Sequence, residues 1–507
     1  MRFDLSVPGQ LAAAYAPDLI LMGGTMLLLL VAVWRRDSAA HDRFVGYLSL
    51  LLCAITAAAV LSLGASGATA TPGMIAVDRF RWTIDLVILL ATAIAIALSM
   101  DDNRRQGIAL AEGYVLVLFA AAGMMLLAAA SDLMLVFLGI EIMSIAVYVL
   151  AGLNRRSARA AEASLKYFLL GAFATGFLLY GIALVYGATG STNFGTIGRL
   201  FYDGAPVTSM LLIGIGMLIV GFGFKVAAVP FHMWTPDVYD GAPTPFTAFM
   251  ATGVKAAAFA SLLRLWLDAF AASRHDWVGI WWWLAVVTMI VGNLVALQQR
   301  SLKRMLAYSS IAHAGYLMVA VAVGSLPSAS ALVLYLVAYT LSTAGAFAVV
   351  VAVSDKSDAG PRVSDLEGLW QARPWLAVAM AVFMLSLLGF PIAGGLGFWA
   401  KWYVLLAAVS SATPQTSLAV VLVLASVVSA GYYLGVVVAM FMKPRPAEAA
   451  PVPAPAGLTR VVIVVAVAAL LFFGVRPQLM VDLAKVSVPG AAYLSAPGAP
   501  SPTAFIK

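Results

Sequence analysis

The sequence has few charged residues and almost no cysteine. Of its 507 residues, 10% are charged and a single one, Cys53, is a cysteine. Ordinary soluble domains carry roughly 25% charged residues, so this composition excludes a typical soluble domain. One cysteine excludes an internal disulfide and any four-cysteine iron–sulfur or zinc site. We therefore expect no redox centre on this chain.

Several catalytic and binding motifs are also missing from the sequence. There is no phosphate-binding loop, no nucleotide-binding glycine motif, no histidine pair spaced to bind a metal and no nucleophile with a neighbouring base. The net charge of +7 comes from lysines and arginines that stand singly or in pairs. Since no dense basic tract is present, these residues indicate orientation in a membrane and not nucleic-acid binding.

The sequence instead contains long apolar runs, and 63% of its residues are hydrophobic. A run of about twenty apolar residues can cross a bilayer as a helix, whereas a β-barrel would show short alternating strands. The pattern predicts an all-α polytopic membrane protein with about fourteen transmembrane helices. The predicted spans, numbered 1 to 14, are 17–34, 45–64, 80–99, 111–130, 132–152, 163–186, 208–229, 243–267, 278–298, 304–324, 330–353, 374–411 (interrupted), 416–441 and 459–475.

The basic residues predict the orientation of the chain. Most of them fall in the loops that follow odd-numbered spans, and basic loops stay in the cytoplasm. Both termini are therefore expected on the extracytoplasmic face. Arg35 and Arg36 follow the first apolar run, which is the wrong polarity for a cleaved signal peptide, so this run is expected to remain as a span.

Two spans contain residues that break helices. Span 7 meets Pro230, and span 12 is split at Gly389-Phe-Pro391. The breaks lie five spans apart, so the two helices have opposite orientations, as two inverted five-helix repeats would require. We predict helices 1–3 in residues 1–110, a first repeat (spans 4–8) in 111–270, a second (spans 9–13) in 271–442, and a linker, span 14 and a loose tail in 443–507.

Several ionisable residues stand inside apolar spans, where such residues are costly and are usually functional. Glu141 lies near the middle of span 5, Lys225 lies five residues before Pro230, and Lys255 lies about a dozen residues into span 8. A carboxylate near Lys225 would favour the protonated lysine, while burial favours the neutral amine. Alternatively, Glu141 is a neutral acid bonded to a carbonyl, or the pair is a static ion pair that fixes helix packing.

Further candidates occur in other spans. Lys401 follows the glycine-rich break of span 12 and is the counterpart of Lys225 in the second repeat. His313 is the one histidine in a span interior and could relay protons, although a lone buried histidine is commonly structural. Lys166 lies near the start of span 6 and could instead extend to the membrane surface, as Arg264 in span 8 is also expected to do. Among the acidic residues, Glu141 is the one that we expect in the middle of a span.

The sequence around these residues resembles that of the antiporter-like membrane subunits of respiratory complex I, the proton-translocating NADH:quinone oxidoreductase. The proline-rich turn and the lysine on the second broken helix are most similar to subunit N. The resemblance covers residues 80–440 in detail and extends to the fourteen-helix plan, although the Ala-Gly-Gly run at 393–395 departs from it. Its motifs are the segments 131–141, 163–168, 236–245 and 303–313 and Gly389-Phe-Pro391.

The resemblance implies a proton-translocating subunit of a larger enzyme in the bacterial inner membrane. Glu141 and Lys225 would form the switching pair, Lys255 the connecting lysine and Lys401 the exit site, with Lys166 and His313 as further relay positions. NADH, FMN, iron–sulfur clusters and quinone would be bound by partner subunits, and no cofactor or nucleic acid by this chain. The alternatives are a sodium/proton antiporter subunit, a membrane-bound hydrogenase subunit, and a passive scaffold of the membrane arm.

Overall fold

The computed structural model describes residues 2–34, 38–107, 111–354, 360–392, 394–447 and 451–489, without the side chains at 103 and 104. Some of the basic residues used to predict orientation, among them Arg35, Arg36 and Lys356, therefore lie outside the described residues. So do Ala393 and most of the predicted tail.

The predicted all-helical membrane fold is confirmed. Within the described residues, thirteen helices are long and apolar enough to cross a membrane, and span 12 is a pair of shorter apolar helices. Spans 1 to 14 comprise Ala16–Trp34, Ala39–Ala65, Arg79–Gln106, Glu112–Ala129, Leu133–Ala151, Ala158–Thr189, Ser209–Val226 followed by Trp234–Gly241, Thr244–Asp268, Arg274–Ala296, Leu302–Val323, Leu326–Val353, Pro374–Leu388 with Leu396–Ser410, Thr416–Met442 and Gly457–Val475.

Short elements lie at the ends of the spans. They are the helices Pro8–Ala14, Phe194–Tyr202, Leu369–Ala372 and Pro477–Val486, a 3₁₀ turn Val363–Leu366, and two strands, Arg2–Phe3 and Thr69–Ala70, which pair in parallel. Polar side chains close several helix starts: Asp132, Ser157 and Ser301 each accept a hydrogen bond from a backbone N–H of the first turn. Such caps satisfy donors that have no partner within the helix.

Glycines permit close helix crossings at matching positions of the two predicted repeats. Spans 4 and 5 meet at Gly123 and Gly139, where a Cβ on Gly139 would lie 3.0 Å from the Gly123 carbonyl oxygen. Spans 9 and 10 meet at Gly292 and Gly315, where a Cβ on Gly292 would lie 2.7 Å from the backbone nitrogen of Ala312. Without side chains at these points the backbones approach closely, which is how membrane helices commonly pack.

Both predicted helix breaks are present. The first part of span 7 ends at Val226, and Ala227 with φ 61° turns the chain out of the helix before Trp234 begins the next one. The first part of span 12 ends at Leu388, and Gly389 turns the chain with φ 76°. Each break leaves backbone carbonyls at a helix C-terminus without intrahelical partners.

Span 8 contains a feature that the sequence did not predict. Its residues Met250–Val254 form a π-helical segment between the α-helical turns Thr244–Phe249 and Lys255–Asp268. Single π turns in α-helices occur frequently at functional sites. This one ends directly before Lys255.

The loops that follow odd-numbered spans meet at one end of the helix bundle. Arg159 after span 5 and Ser301 after span 9 both donate to the Asp240 carboxylate, at 2.7 Å each. Thr459, at the start of span 14, donates to Asp101 at the end of span 3 through its backbone N–H and its hydroxyl, at 2.8 Å each. The loops richest in basic residues therefore share one face of the molecule.

Candidate functional site

Lys225 is buried at the end of the first part of span 7, with an exposed fraction of 3%. Its Nζ donates a hydrogen bond of 2.6 Å to the Ser144 hydroxyl of span 5. The same nitrogen lies 5.6 Å from the ring centre of Tyr148 and 5.9 Å from that of Tyr167, within the range of a cation–π interaction. The ring centre of Phe224 lies 5.7 Å away, so the surroundings offer one hydroxyl and three aromatic faces to the ammonium group.

Glu141 lies one helical turn from Ser144 on the same side of span 5 and is partly exposed. Its carboxylate acts electrostatically on Lys225. Among the residues that the structure describes, however, no ion pair within 4.0 Å joins Glu141 to Lys225. Glu141 and Lys225 can therefore interact electrostatically, but they are not in direct contact. Lys225 instead binds the Ser144 hydroxyl.

Lys255 follows the π-helical segment and is also buried, with an exposed fraction of 1%. Its Nζ donates to the backbone carbonyl oxygen of Ser310 in span 10 at 2.5 Å. The hydroxyl of Ser310 in turn accepts a hydrogen bond of 2.9 Å from Tyr339 in span 11. Lys255 thus reaches from the first predicted repeat to the second.

His313 is held by two tyrosines. Its Nδ1 lies 2.8 Å from the Tyr335 hydroxyl, and its Nε2 lies 3.1 Å from the Tyr433 hydroxyl. Tyr433 also shares a hydrogen bond with the Ser309 hydroxyl. Because both ring nitrogens have hydroxyl partners, which can donate or accept, the imidazole can change its tautomer without losing a contact.

Lys401 lies in the second part of span 12, with an exposed fraction of 6%. Its Nζ donates to the Leu388 carbonyl oxygen at 2.8 Å and to the Ser426 hydroxyl at 3.2 Å, and it lies 4.6 Å from the ring centre of Tyr316. A cavity of about 10 Å³ joins Lys401 to His313, Tyr335 and Tyr339. A volume of this size holds about one water molecule.

Lys166 lies apart from this row of residues. Its side chain is 42% exposed and forms ion pairs with Glu162 at 2.7 Å and Asp237 at 2.8 Å. Arg304 also donates to Asp237, at 2.8 Å. These two hydrogen bonds from cationic groups stabilise the ionised carboxylate of Asp237. Lys166 thus belongs to a charged cluster at the end of the bundle that carries the basic loops.

Several polar residues of this region were missed in the sequence. Ser144, Tyr335, Tyr339 and Tyr433 each complete a contact to one of the predicted residues or to its partner. Tyr335 and Tyr339 are four residues apart, which places both hydroxyls on one face of span 11. That spacing was the available signal for a polar face in an apolar helix.

One prediction about a charged residue was wrong. Arg264 does not extend to the membrane surface: it is 2% exposed and forms an ion pair with Asp78 at 2.7 Å. An arginine can be buried when it is paired, and this partner lies 186 residues away in the sequence. Asp85, in the second turn of span 3, is a further fully buried acid and lies beside Arg81.

No group of three or more histidine, cysteine, aspartate or glutamate residues that could hold a metal ion occurs within the described part of the chain. Cys53 is buried in span 2 with no second cysteine available. The donor set therefore does not fit an iron–sulfur cluster, which needs several thiolates.

The chain is similar to a large family of membrane subunits. The family described as the transmembrane region of the NADH:quinone oxidoreductase and Mrp antiporter subunits matches residues 130–429. A relative from Gemmatimonas aurantiaca, named NADH-quinone oxidoreductase subunit N, is 50% identical over 98% of this chain and 97% of its own length. A relative of the same name from Trichlorobacter lovleyi is 46% identical over 93% of this chain and 96% of its own length.

Solved structures show the same arrangement of helices. A chain of respiratory complex I from Thermus thermophilus is 38% identical and superposes with a TM-score of 0.78, covering 92% of this chain and 99% of that one. A chain of the Mrp complex from Dietzia sp. is 21% identical and superposes with a TM-score of 0.83 over 97% of this chain and 99% of its own. At that identity the second match shows a shared fold alone.

Proposed function

Since this chain belongs to the family of NADH-quinone oxidoreductase N subunits, we propose that it moves protons along a row of its own ionisable side chains. The row consists of Glu141, Lys225, Lys255, His313 and Lys401. NADH oxidation and quinone reduction take place on other subunits of the enzyme, which carry FMN, the iron–sulfur clusters and the quinone. This chain contributes the membrane path for protons.

The single observation that supports this function most strongly is the polar connection between Lys255 and Lys401. Lys255 binds the backbone of Ser310, whose hydroxyl binds Tyr339, and Tyr339 lines the cavity that also contains His313 and Lys401. Hydroxyls, an imidazole and room for one water are the groups that pass protons between two amines.

We propose that the distance between Glu141 and Lys225 controls the first transfer. A carboxylate stabilises a nearby ammonium ion, and its effect falls as the distance grows. In the structure Lys225 binds Ser144, one turn from Glu141, so a small shift of span 5 would change the separation of the two charges. A hundredfold change in proton affinity corresponds to about 2.7 kcal/mol. This exceeds the roughly 2.3 kcal/mol that one charge requires per 100 mV of membrane potential.

The transfer from Lys225 to Lys255 needs a rearrangement or a bridging water. Among the described side chains no hydrogen bond joins these two lysines. The π-helical segment before Lys255 offers one place for such a change, because moving a π turn along a helix reorients the residues beside it. From Lys255 the proton passes by His313 to Lys401 and leaves on the extracytoplasmic side.

Lys166 enters this proposal at the cytoplasmic end. Its cluster with Asp237 and Arg304 lies at the end of the bundle where protons would enter. The exposed ion pairs of this cluster hold the Asp237 carboxylate in place, which is a positioning role. We assign Lys166 no transfer step.

We further propose that both termini face the extracytoplasmic side and that residues 111–270 and 271–442 form the two inverted repeats. The meeting of the basic loops at one end supports this orientation. The orientation can be tested by labelling introduced cysteines, because the single native cysteine, Cys53, is buried. In the assembled complex in intact cells, Ser6→Cys should react with a membrane-impermeant maleimide, and Ala158→Cys should react only after the membrane is opened. Labelling of Ala158→Cys in intact cells would overturn the orientation.

The ion that is moved can be tested directly. Proteoliposomes that contain the whole complex should acidify their interior on addition of NADH in sodium-free buffer, and a protonophore should abolish the gradient. Sodium uptake that persists with the protonophore would instead support the antiporter alternative. A hydrogenase or a non-pumping scaffold would give no NADH-driven acidification dependent on this row of residues.

A further inference from the structure

The first three spans contain a buried charged group that the proposed proton path does not use. We call Asp18 of span 1 with Arg81 and Asp85 of span 3 the Arg81 cluster. Arg81 is fully buried and donates through Nη2 to the Asp18 carboxylate and through Nη1 to the Ala76 and Ala14 carbonyl oxygens, at 3.1 and 3.4 Å. Its Nε lies 3.5 Å from an oxygen of Asp85.

The cluster holds two carboxyl groups for one guanidinium. Asp18 is 1% exposed and Asp85 is fully buried. Among the residues that the structure describes, neither oxygen of Asp85 has a hydrogen-bond partner, and the Nε of Arg81, which faces Asp85, also has none. With both acids ionised the cluster would carry one unbalanced negative charge and an unsolvated carboxylate in the interior of the protein.

Within the described part of the chain, Arg81 is the one cation that forms an ion pair with Asp18 or Asp85, so no second cation balances that charge. The other groups that act electrostatically on the cluster are Tyr15, Asp78 and Arg264. Arg264 donates to both oxygens of Asp78, at 2.7 and 2.9 Å, so its charge is already matched by that carboxylate. Asp268, on the helix of Arg264, adds a further acid to these surroundings.

We propose that the Arg81 cluster binds one exchangeable proton at neutral pH and that Asp85 carries it. A buried carboxylate without hydrogen bonds costs several kcal/mol, and two carboxyl groups that share a site do not both ionise. Asp18 keeps its charge because Arg81 donates directly to it. The resulting group is neutral overall: one guanidinium, one carboxylate and one carboxylic acid.

This site is distinct from the Glu–Lys–His row. It lies before residue 130, where the family match begins, and its acids belong to spans 1 and 3. The ion pair between Arg264 and Asp78 nevertheless connects its surroundings to span 8, the helix that carries Lys255.

Infrared difference spectroscopy of the assembled complex tests the proposal. The spectrum of the native complex should contain a protonated-carboxyl C=O band that shifts in D₂O and is absent from Asp85→Asn. The band should also vanish in Asp18→Asn, because Asp85 would then ionise to balance Arg81. Asp101→Asn, a control acid that accepts hydrogen bonds from Thr459, should leave the band unchanged. Persistence of the band in Asp85→Asn or in Asp18→Asn would overturn the proposal.

A second measurement does not depend on resolving one band. In the unfolded chain Asp85 is ionised above about pH 4, whereas the folded protein keeps its proton, so rising pH favours unfolding until Asp85 itself ionises. The thermal stability of the native complex should therefore fall between about pH 5 and pH 7, and that of Asp85→Asn, which binds no such proton, should fall less steeply. Parallel profiles for the native complex and Asp85→Asn in this range would contradict the inference.

Discussion

Lys401 donates its hydrogen bond to the carbonyl oxygen of Leu388, the last residue of the first part of span 12, at 2.8 Å. The break in the helix frees that carbonyl and places the negative end of the helix dipole beside it. The break therefore stabilises the protonated form of the lysine. Lys225 also lies at the end of the first part of a broken span, one residue before its last residue Val226. A lysine therefore lies beside each of the two helix breaks.

Replacing Lys401 by arginine tests whether this group must release its proton. Arginine keeps the charge and can still reach the Leu388 carbonyl, but it does not deprotonate in proteins. We expect Lys401→Arg to assemble normally while NADH-driven proton transfer falls several-fold in proteoliposomes. Native pumping rates in this variant would show that Lys401 supplies a fixed charge and no proton.

The tyrosine beside His313 can be compared with its sequence neighbour. Tyr433→Phe removes the hydroxyl that contacts Nε2 of His313, whereas Tyr432→Phe removes a hydroxyl that donates to Asn293. Each loss should lower stability by about 1 kcal/mol. Only Tyr433→Phe should also slow NADH-driven proton transfer and shift its pH profile. Equal pumping by the two variants would remove the hydroxyl from the path.

The glycine crossing of spans 4 and 5 predicts a large effect on assembly. In Gly139→Ala the new methyl group would lie 2.9 Å from the Leu127 backbone nitrogen, so the helices must separate. We expect the free energy of unfolding to fall by about 1–3 kcal/mol and less complex to assemble. The matched control is Gly176→Ala, where nothing lies within 4 Å of the added Cβ. Thermal shift assays of both purified complexes provide the comparison.

Lys166 and Lys255 should differ in their contributions. Lys166 is exposed and paired with two carboxylates, and exposed pairs typically contribute about 0–1 kcal/mol. Lys166→Gln should therefore retain most proton transfer, while Lys255→Gln, which removes the link to Ser310, should abolish most of it. A larger defect in Lys166→Gln would show that the exposed cluster is part of the path.

The sequence was sufficient to predict features that are costly in a membrane. The core of a bilayer contains no water to solvate a charge or a free backbone group. Lysines in apolar runs, and prolines or glycines inside spans, are therefore conspicuous in the sequence. The structure has Lys225, Lys401 and both helix breaks where they were expected. Domain boundaries and individual transfer roles remain predictions.

Contacts between distant spans could not be predicted in the same way. Ser144 and Tyr433 are ordinary residues of apolar helices, and only packing brings them to Lys225 and His313. Arg264 was expected near the surface because its partner, Asp78, lies 186 residues away in the sequence. The π turn before Lys255 was likewise not predicted, although the weak helix formers Thr252 and Gly253 lie within it.

In the proposed mechanism, Lys225 gains and loses a proton under the influence of Glu141. This step can be tested by the number of protons moved per NADH by proteoliposomes that contain the native complex, Lys225→Arg or Lys225→Gln, with NADH oxidation recorded in the same samples. We expect fewer protons per NADH in both variants, although Lys225→Arg keeps the charge. An unchanged ratio of protons to NADH in both variants would show that Lys225 does not take up and release the proton.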